Sequence, residues 1–442
     1  MNEVILINVL ALLLPIGFAL MAAGARPPRE AKGVAFAGML SVAIGVLGYF
    51  CCGFAFQFGG IGLVWKEMPG LKNLIWEWSP LDVRWGPGWG ALGLYGFFLT
   101  GQAASPQALV LFVNQLPLVC LAVFIFMATL WDKVKHWVLI LFGFLIAALL
   151  HPIVGNWVWG GGWLANLGKN IGLAHGFIDL LGAGSPHLLG ALVTLFALLI
   201  FRLRSEGAYW ELPSMPPVHL PLLAILGSFL TLVGYIALLV GNPIYARLDN
   251  LSLPFCALNL LEAAAGGFLA AAIYSLFTTN RSDVFMAIRG SVAGLVAAGA
   301  SCAFVPLWAG WAIGAGAGLL VPLGIYFFER IAKLDDPAAV LTVNGLGAIW
   351  GLVATALFAD GSFGQGWNGV PSDYLNVPGQ GVSGLLVSPG FPQDFPHQLY
   401  AQLAGIGAII VWVALLSVPL LVICYRLIKA WEEASRRVES AG

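Results

Sequence analysis

Residues 151–192 hold side chains able to handle a proton or a cation, set in an otherwise apolar stretch. They are His151, Trp159 followed by Gly160-Gly161-Gly162, Asp179 and His187. An imidazole titrates near neutral pH and both takes and returns a proton. An indole face attracts a cation by about 0.5–2 kcal/mol. A carboxylate at a helix start serves as a cation attractor or as an N-cap, and both readings stand for Asp179. If Asp179 starts a helix, His187 follows eight residues later, about 12 Å along the axis. That depth is near the middle of a bilayer, where an ionisable group is by default a functional one. Plainer roles compete: a packed core histidine, an interfacial tryptophan, and glycines that let helices approach.

The elements that carry these residues must be membrane helices. The 442 residues are 60% hydrophobic and 9% charged, with a mean hydropathy of +0.90. So few charges cannot cover that much apolar surface in water, and the apolar runs are too long and continuous for barrel strands. A net charge of −1 points to no nucleic-acid partner. Cys51, Cys52, Cys120, Cys256, Cys302 and Cys424 all fall in apolar runs and lack metal-ligand spacing. No metal or cofactor is expected. Without a nucleophile–base set or a phosphate loop, an enzyme is disfavoured. The first helix lacks a basic leading region and reads as a retained span.

Apolar runs of spanning length occur at about 4–24, 34–57, 107–131, 137–155, 180–202, 219–241, 254–277, 338–359 and 400–427. Residues 290–328 carry no charge and have basic residues at both ends, which requires two further short spans. Pro306 with Gly310, Gly314 and Gly316 is expected to turn the chain between them. The total is eleven. Alternate loops and the tail, from Arg26 to Arg437, hold fifteen of the 20 Lys and Arg, against Lys66, Lys72, Arg84, Lys169 and Arg247 on the other face. This predicts the N-terminus outside and the C-terminus in the cytoplasm. Residues 1–427 form the transmembrane domain and 428–442 a short, amphipathic cytoplasmic tail. Long outer loops at about 58–106 and 361–398 are rich in Gly, Pro and Trp. Trp65, Trp76, Trp78, Trp85 and Trp89 suit an interfacial belt, with ligand binding the lesser reading.

Ten spans plus one suggest two five-helix halves. His187-Leu188-Leu189-Gly190-Ala191-Leu192 in span 5 echoes Asn344-Gly345-Leu346-Gly347-Ala348-Ile349 in span 10. An odd number of crossings per half makes the repeat inverted, an arrangement that puts sites at the midplane. His187 and Asn344 then face a common axis, within hydrogen-bond reach.

The chain resembles the ammonium transporter/Rhesus family. The matching pieces are Gly17-Phe18-Ala19-Leu20-Met21-Ala22-Ala23-Gly24, Pro152-Ile153-Val154, and Val158-Trp159-Gly160-Gly161-Gly162-Trp163-Leu164-Ala165. Asp179 with His187, Ala293-Gly294-Leu295-Val296-Ala297 with Ser301-Cys302-Ala303, and Asp335-Asp336-Pro337 before Val343-Asn344-Gly345 complete the set. The resemblance covers nearly the whole chain in order. It implies an all-α, eleven-helix ammonium transporter fold with a 5+5 inverted repeat, in a homotrimer with one pore per subunit. It also implies passage of ammonium or ammonia past an aromatic recruitment site, a phenylalanine gate and paired histidines, in a prokaryotic inner membrane.

By that register Trp159 matches the recruitment tryptophan, Asp179 the acid near the site and His187 the first pore histidine. The second histidine falls on Asn344, the outer and inner gate phenylalanines on Leu118 and Leu238, and the recruitment serine on Asn242. Asn344 orients an imidazole but does not titrate, so a two-histidine relay is broken. Leucines at both gates remove the π faces. Two functions remain open: an ammonia conduit with altered gating and proton coupling, or a non-conducting scaffold, sensor or subunit of a larger membrane complex. A cytoplasmic regulator stays open as a partner. Glu262 in span 7 stands where the family has an apolar residue. It reads as a hydrogen-bond partner of Asn259 or of a neighbouring subunit, or as a further proton or ligand site.

Overall fold

A chain in lipid must satisfy every backbone polar group internally, which turns long apolar runs into helices. The computed structural model describes residues 2–204, 219–248, 250–281 and 283–441. Eleven helices among them are long and apolar enough to cross a membrane. They are span 1 (Val4–Gly24), span 2 (Glu30–Leu63), span 3 (Pro106–Leu130), span 4 (His136–Val158) and span 5 (Ala183–Ile200). Span 6 (Leu220–Gly241), span 7 (Leu253–Thr279), span 8 (Val284–Ser301), span 9 (Leu307–Ile331), span 10 (Leu341–Phe358) and span 11 (His397–Arg436) follow. Every expected apolar run has its helix. The last runs unbroken from His397 to Ala441, so no kink marks position 427.

Local chemistry sets several helix starts. Ser105 accepts the Ala108 N–H at the head of span 3, where Pro106 needs no donor of its own. Asp283 accepts the Met286 N–H at the head of span 8. The turn between spans 8 and 9 differs from expectation. Residues 302–306 make it alone, and Gly310, Gly314 and Gly316 lie inside span 9. There they allow contact: a Cβ on Gly314 would sit 2.0 Å from the Ala263 carbonyl oxygen, and one on Gly310 2.5 Å from Asn259 Oδ1. Glycine serves a turn and a close helix approach equally well, and here its use is packing, against span 7 for Gly310 and Gly314 and against Trp350 of span 10 for Gly316.

The inverted halves meet through equivalent spans. Spans 1 and 6 touch at Gly17 and Gly227, where a Cβ on either would lie within 2.6 Å of the other's carbonyl oxygen. Spans 5 and 10, only 18 residues each, begin with the wide turns Ala183–Leu188 and Leu341–Leu346. Before span 5, residues 174–182 are buried without helical hydrogen bonding. Non-helical backbone at such depth survives only inside protein. Two amides of span 11 partner it. Gln398 accepts from His175 N–H and donates to Gly176 O, while Gln402 accepts from Ile178 N–H and donates to Ile178 O and Leu352 O. A two-stranded ribbon, Glu77–Trp78 against Leu92–Gly93, anchors the first long loop over the bundle.

Candidate functional site

Span 5 begins at Ala183, and Asp179 lies outside it in the buried loop. Its Oδ1 accepts from Gly182 N–H at 3.0 Å and Ala183 N–H at 2.7 Å. Its Oδ2 accepts from Gly184 N–H at 2.7 Å and Ser185 N–H at 3.4 Å. The carboxylate therefore caps the helix. No continuous helix links Asp179 to His187, so the rise of about 12 Å for an unbroken helix does not apply. Burial pushes Asp179 up to about 6, and the four N–H groups oppose that, leaving it ionised at neutral pH.

His187 and Asn344 meet: Nδ1 and Oδ1 are 2.7 Å apart. Both are buried. On its other side His187 Nε2 contacts the hydroxyl of Tyr235 from span 6. The two rings are 24° from parallel, and the Phe18 ring lies 5.5 Å from the imidazole. Leu118 and Leu238 are each 2% exposed, filling space without a π face. A chain of buried amides runs beside them. Tyr49 donates to Gln57, Gln57 to Gln115, Gln115 to Asn114, and Asn114 to Asn8 and the Leu238 carbonyl.

Above this level lies a cavity of about 810 Å³. Trp159, Asn242, Gln115, Trp65, Tyr245, Trp367 and Glu77 line it, but His187, Asn344, Leu118, Leu238 and Asp179 do not. Trp159 is half-buried, and its Nε1–H is fixed on the Asp179 carbonyl at 2.7 Å. Asn242 uses Oδ1 to accept from Ile244 and Tyr245 N–H, closing the turn after span 6. Trp76, Trp78 and Trp85 are more than half exposed. Glu77 reaches in from the ribbon and accepts from Asn156 Nδ2 at 3.4 Å and Ser79 Oγ at 3.2 Å. Burial pushes its carboxyl up to about 7. A Cβ on Gly90 would come within 2.1 Å of that carboxylate, so the loop glycine makes its berth.

The expected Glu262–Asn259 hydrogen bond does not form. Asn259 donates both amide hydrogens to the carbonyls of Cys302 (2.8 Å) and Val305 (3.0 Å), bracing the turn between spans 8 and 9. Free carbonyls at a helix end compete better for the amide than a half-exposed side chain. Tyr235, Gln398, Gln402 and Glu77 are site residues that sequence reasoning missed. For the two glutamines a signal existed, since amides four apart on an apolar helix share one face. Among the described residues, no cluster of three or more His, Cys, Asp or Glu is placed to hold a metal ion.

The Ammonium Transporter Family matches residues 4–437. The chain is 29% identical to ammonium transporter Amt2 of Archaeoglobus fulgidus over 362 residues, 80% of this chain and 70% of that one. It is 29% identical to a putative ammonium transporter of Synechocystis sp. over 364 residues, 79% of this chain and 74% of that one. The crystal structure of Saccharomyces cerevisiae Mep2 superposes with a TM-score of 0.71 at 21% identity, covering 95% of this chain and 85% of that one. A sensor Amt protein gives 0.72 at 24%, covering 97% and 92%. Matched almost from end to end in sequence and in fold, the chain belongs to the ammonium transporter family.

Proposed function

We propose that the protein passes ammonium nitrogen across the membrane, gathering it as ammonium in the vestibule and carrying it past His187 as neutral ammonia. The observation that carries this reading is the buried His187–Asn344 pair, 2.7 Å apart, beneath a cavity that holds Trp159 and Glu77. The indole face and the carboxylate both favour a cation at the mouth. Beyond them Leu118 and Leu238 offer a bare ion nothing, and an uncompensated charge in low dielectric is far costlier than a neutral amine. Shedding the proton in the vestibule is the easier route. Asn344 does not titrate, so no second base returns that proton along the pore, and the flux carries little charge. The assembly we propose is a homotrimer with a pore in each subunit, N-terminus outside and C-terminal tail in the cytoplasm of an inner membrane. Glu262, half-exposed on span 7, is then a contact of the neighbouring subunit. The test is purified trimer in liposomes, recording ammonium-evoked current and ammonia flux together. Flux without matching current is expected, and equal charge and nitrogen movement would overturn the reading.

A second reading, a non-conducting sensor or scaffold, is favoured by two features. None of His187, Asn344, Leu118 and Leu238 reaches the vestibule surface, and both His187 nitrogens already have partners. No flux from an intact trimer supports it.

A further inference from the structure

Hydrogen-bond accounting around His187 assigns its protons. Asn344 presents Oδ1, an acceptor, so Nδ1 carries the hydrogen and Nε2 the lone pair. The Tyr235 hydroxyl then donates to Nε2. Turning the Asn344 amide over would reverse both bonds. It would leave the hydroxyl proton of Tyr235, 0% exposed, without an acceptor among the described residues, which an apolar surround penalises. The first arrangement gives both imidazole nitrogens and the Tyr235 hydroxyl a matched partner. It also leaves His187 with no vacant site, because the lone pair an incoming ammonia would bond is held by a phenol.

We propose that Tyr235 is the residue that admits or refuses substrate at His187: its hydroxyl competes with ammonia for Nε2, and the pore opens at this level only when the tyrosine gives way. The competition is between similar bonds. Ammonia, like the phenol, donates to a neutral imidazole nitrogen, so the exchange of one donor for the other is near balance. The surroundings leave room for it. Gly299 on span 8 faces the ring edge, and a Cβ there would lie 3.8 Å from Tyr235 Cε1 and 3.7 Å from Leu181 Cβ. Most glycines of the bundle press within 3 Å of a neighbouring backbone or side chain; this one fronts a gap the width of a methyl group. Asn344 holds the imidazole from the opposite side, so the ring stays put while the tyrosine moves.

This inference rests on the transport reading for its physiological sense, but its chemistry is testable apart from it. Wild type, Tyr235→Phe and Gly299→Ala are compared in proteoliposomes for ammonia flux. In bilayers with ¹⁵N-labelled histidine, the His187 Nε2 resonance is followed against added ammonium chloride at alkaline pH. Removing the hydroxyl is expected to raise flux about fivefold, the worth of one lost neutral hydrogen bond, and to bring the Nε2 response to about fivefold lower ammonia. Filling the gap with Gly299→Ala, which meets no clash, is expected to move both the other way. If all three are silent in flux but the Nε2 response shifts as stated, Tyr235 controls the site and the transport reading fails. If Nε2 responds alike in wild type and Tyr235→Phe, the proposal is overturned, whatever the flux.

Discussion

Asp336 does for Asn344 what Asp179 does for His187, each from eight residues upstream. Asp336 Oδ1 accepts from Thr129 Oγ1 at 2.7 Å and Val340 N–H at 3.0 Å, and Oδ2 accepts from Leu341 N–H at 2.8 Å. Two half-helices of opposite direction are thus each started by a buried carboxylate, and their first turns meet at the hydrogen-bonded pair. The two carboxylates differ in how many backbone donors they serve, four for Asp179 and two for Asp336. Orphaning a buried donor costs about 1–3 kcal/mol. Asp179→Ala should therefore destabilise by about 3 kcal/mol or more, and by more than Asp336→Ala. Thermal unfolding of the two variants in detergent checks the order, and near-wild-type stability of Asp179→Ala would contradict the capping role.

Glu77 gives the vestibule a pH dependence. Its carboxyl titrates at about 7, so it is neutral at pH 6 and charged at pH 8. Ammonium binding measured by titration should weaken roughly threefold on Glu77→Gln at pH 8 and stay unchanged at pH 6, the half-buried charge being partly screened. The sign for stability is opposite. Between the ordinary glutamate range and about 7 the folded state holds the extra proton, so stability falls as pH rises through that window. Glu77→Gln should flatten the fall. An identical pH profile of unfolding in both proteins would show that the carboxyl is not perturbed.

The gate and relay substitutions make a third test. Each aromatic ring facing a cation is worth up to about 2 kcal/mol. Asn344→His with Leu118→Phe and Leu238→Phe should raise ammonium-evoked current in proteoliposomes several-fold while leaving ammonia flux measurable. Current that is already large in wild type and indifferent to the triple change would refute the uncoupled mechanism.

Gln402 holds three backbone groups of the buried 174–182 segment and span 10. Gln402→Leu matches its size but none of its bonds, and should cost about 2–4 kcal/mol. Hydrogen exchange at Ile178 would rise with it. Protection at Ile178 equal to wild type would mean the clamp is dispensable.

The span count and the His187–Asn344 pairing were legible in the sequence for different reasons. Helices in lipid announce themselves by length and hydropathy alone, with no tertiary knowledge. The pair emerged because the two half-helices share a short residue pattern. Tyr235 escaped notice since a tyrosine in an apolar span carries no spacing of its own, and its meaning arises only when span 6 lies across span 5. Gln398 and Gln402 pair with backbone 222 to 224 residues away, a relation no local window contains. The helix attributed to Asp179 was lost to competition: its side chain offers the backbone a cap, and the chain takes that instead of a helical turn. Gly310, Gly314 and Gly316 were misplaced for the converse reason, their lack of a side chain being read as freedom when it serves contact.

The last helix, 45 residues from His397 to Ala441, is about 67 Å of rod, more than twice the thickness of a hydrocarbon layer. Near its first turn it grips the loop that ends in Asp179, and near its far end Lys135 rests over the Trp431 ring at 5.4 Å. Pro419 lies between the two ends, and the helix continues through it. A tilt of the tail by a few degrees translates, over that lever arm, into an ångström-scale displacement at Ile178 and hence at the foundation of the histidine's half-helix. The protein's most remote residues and its most buried ones are mechanically neighbours.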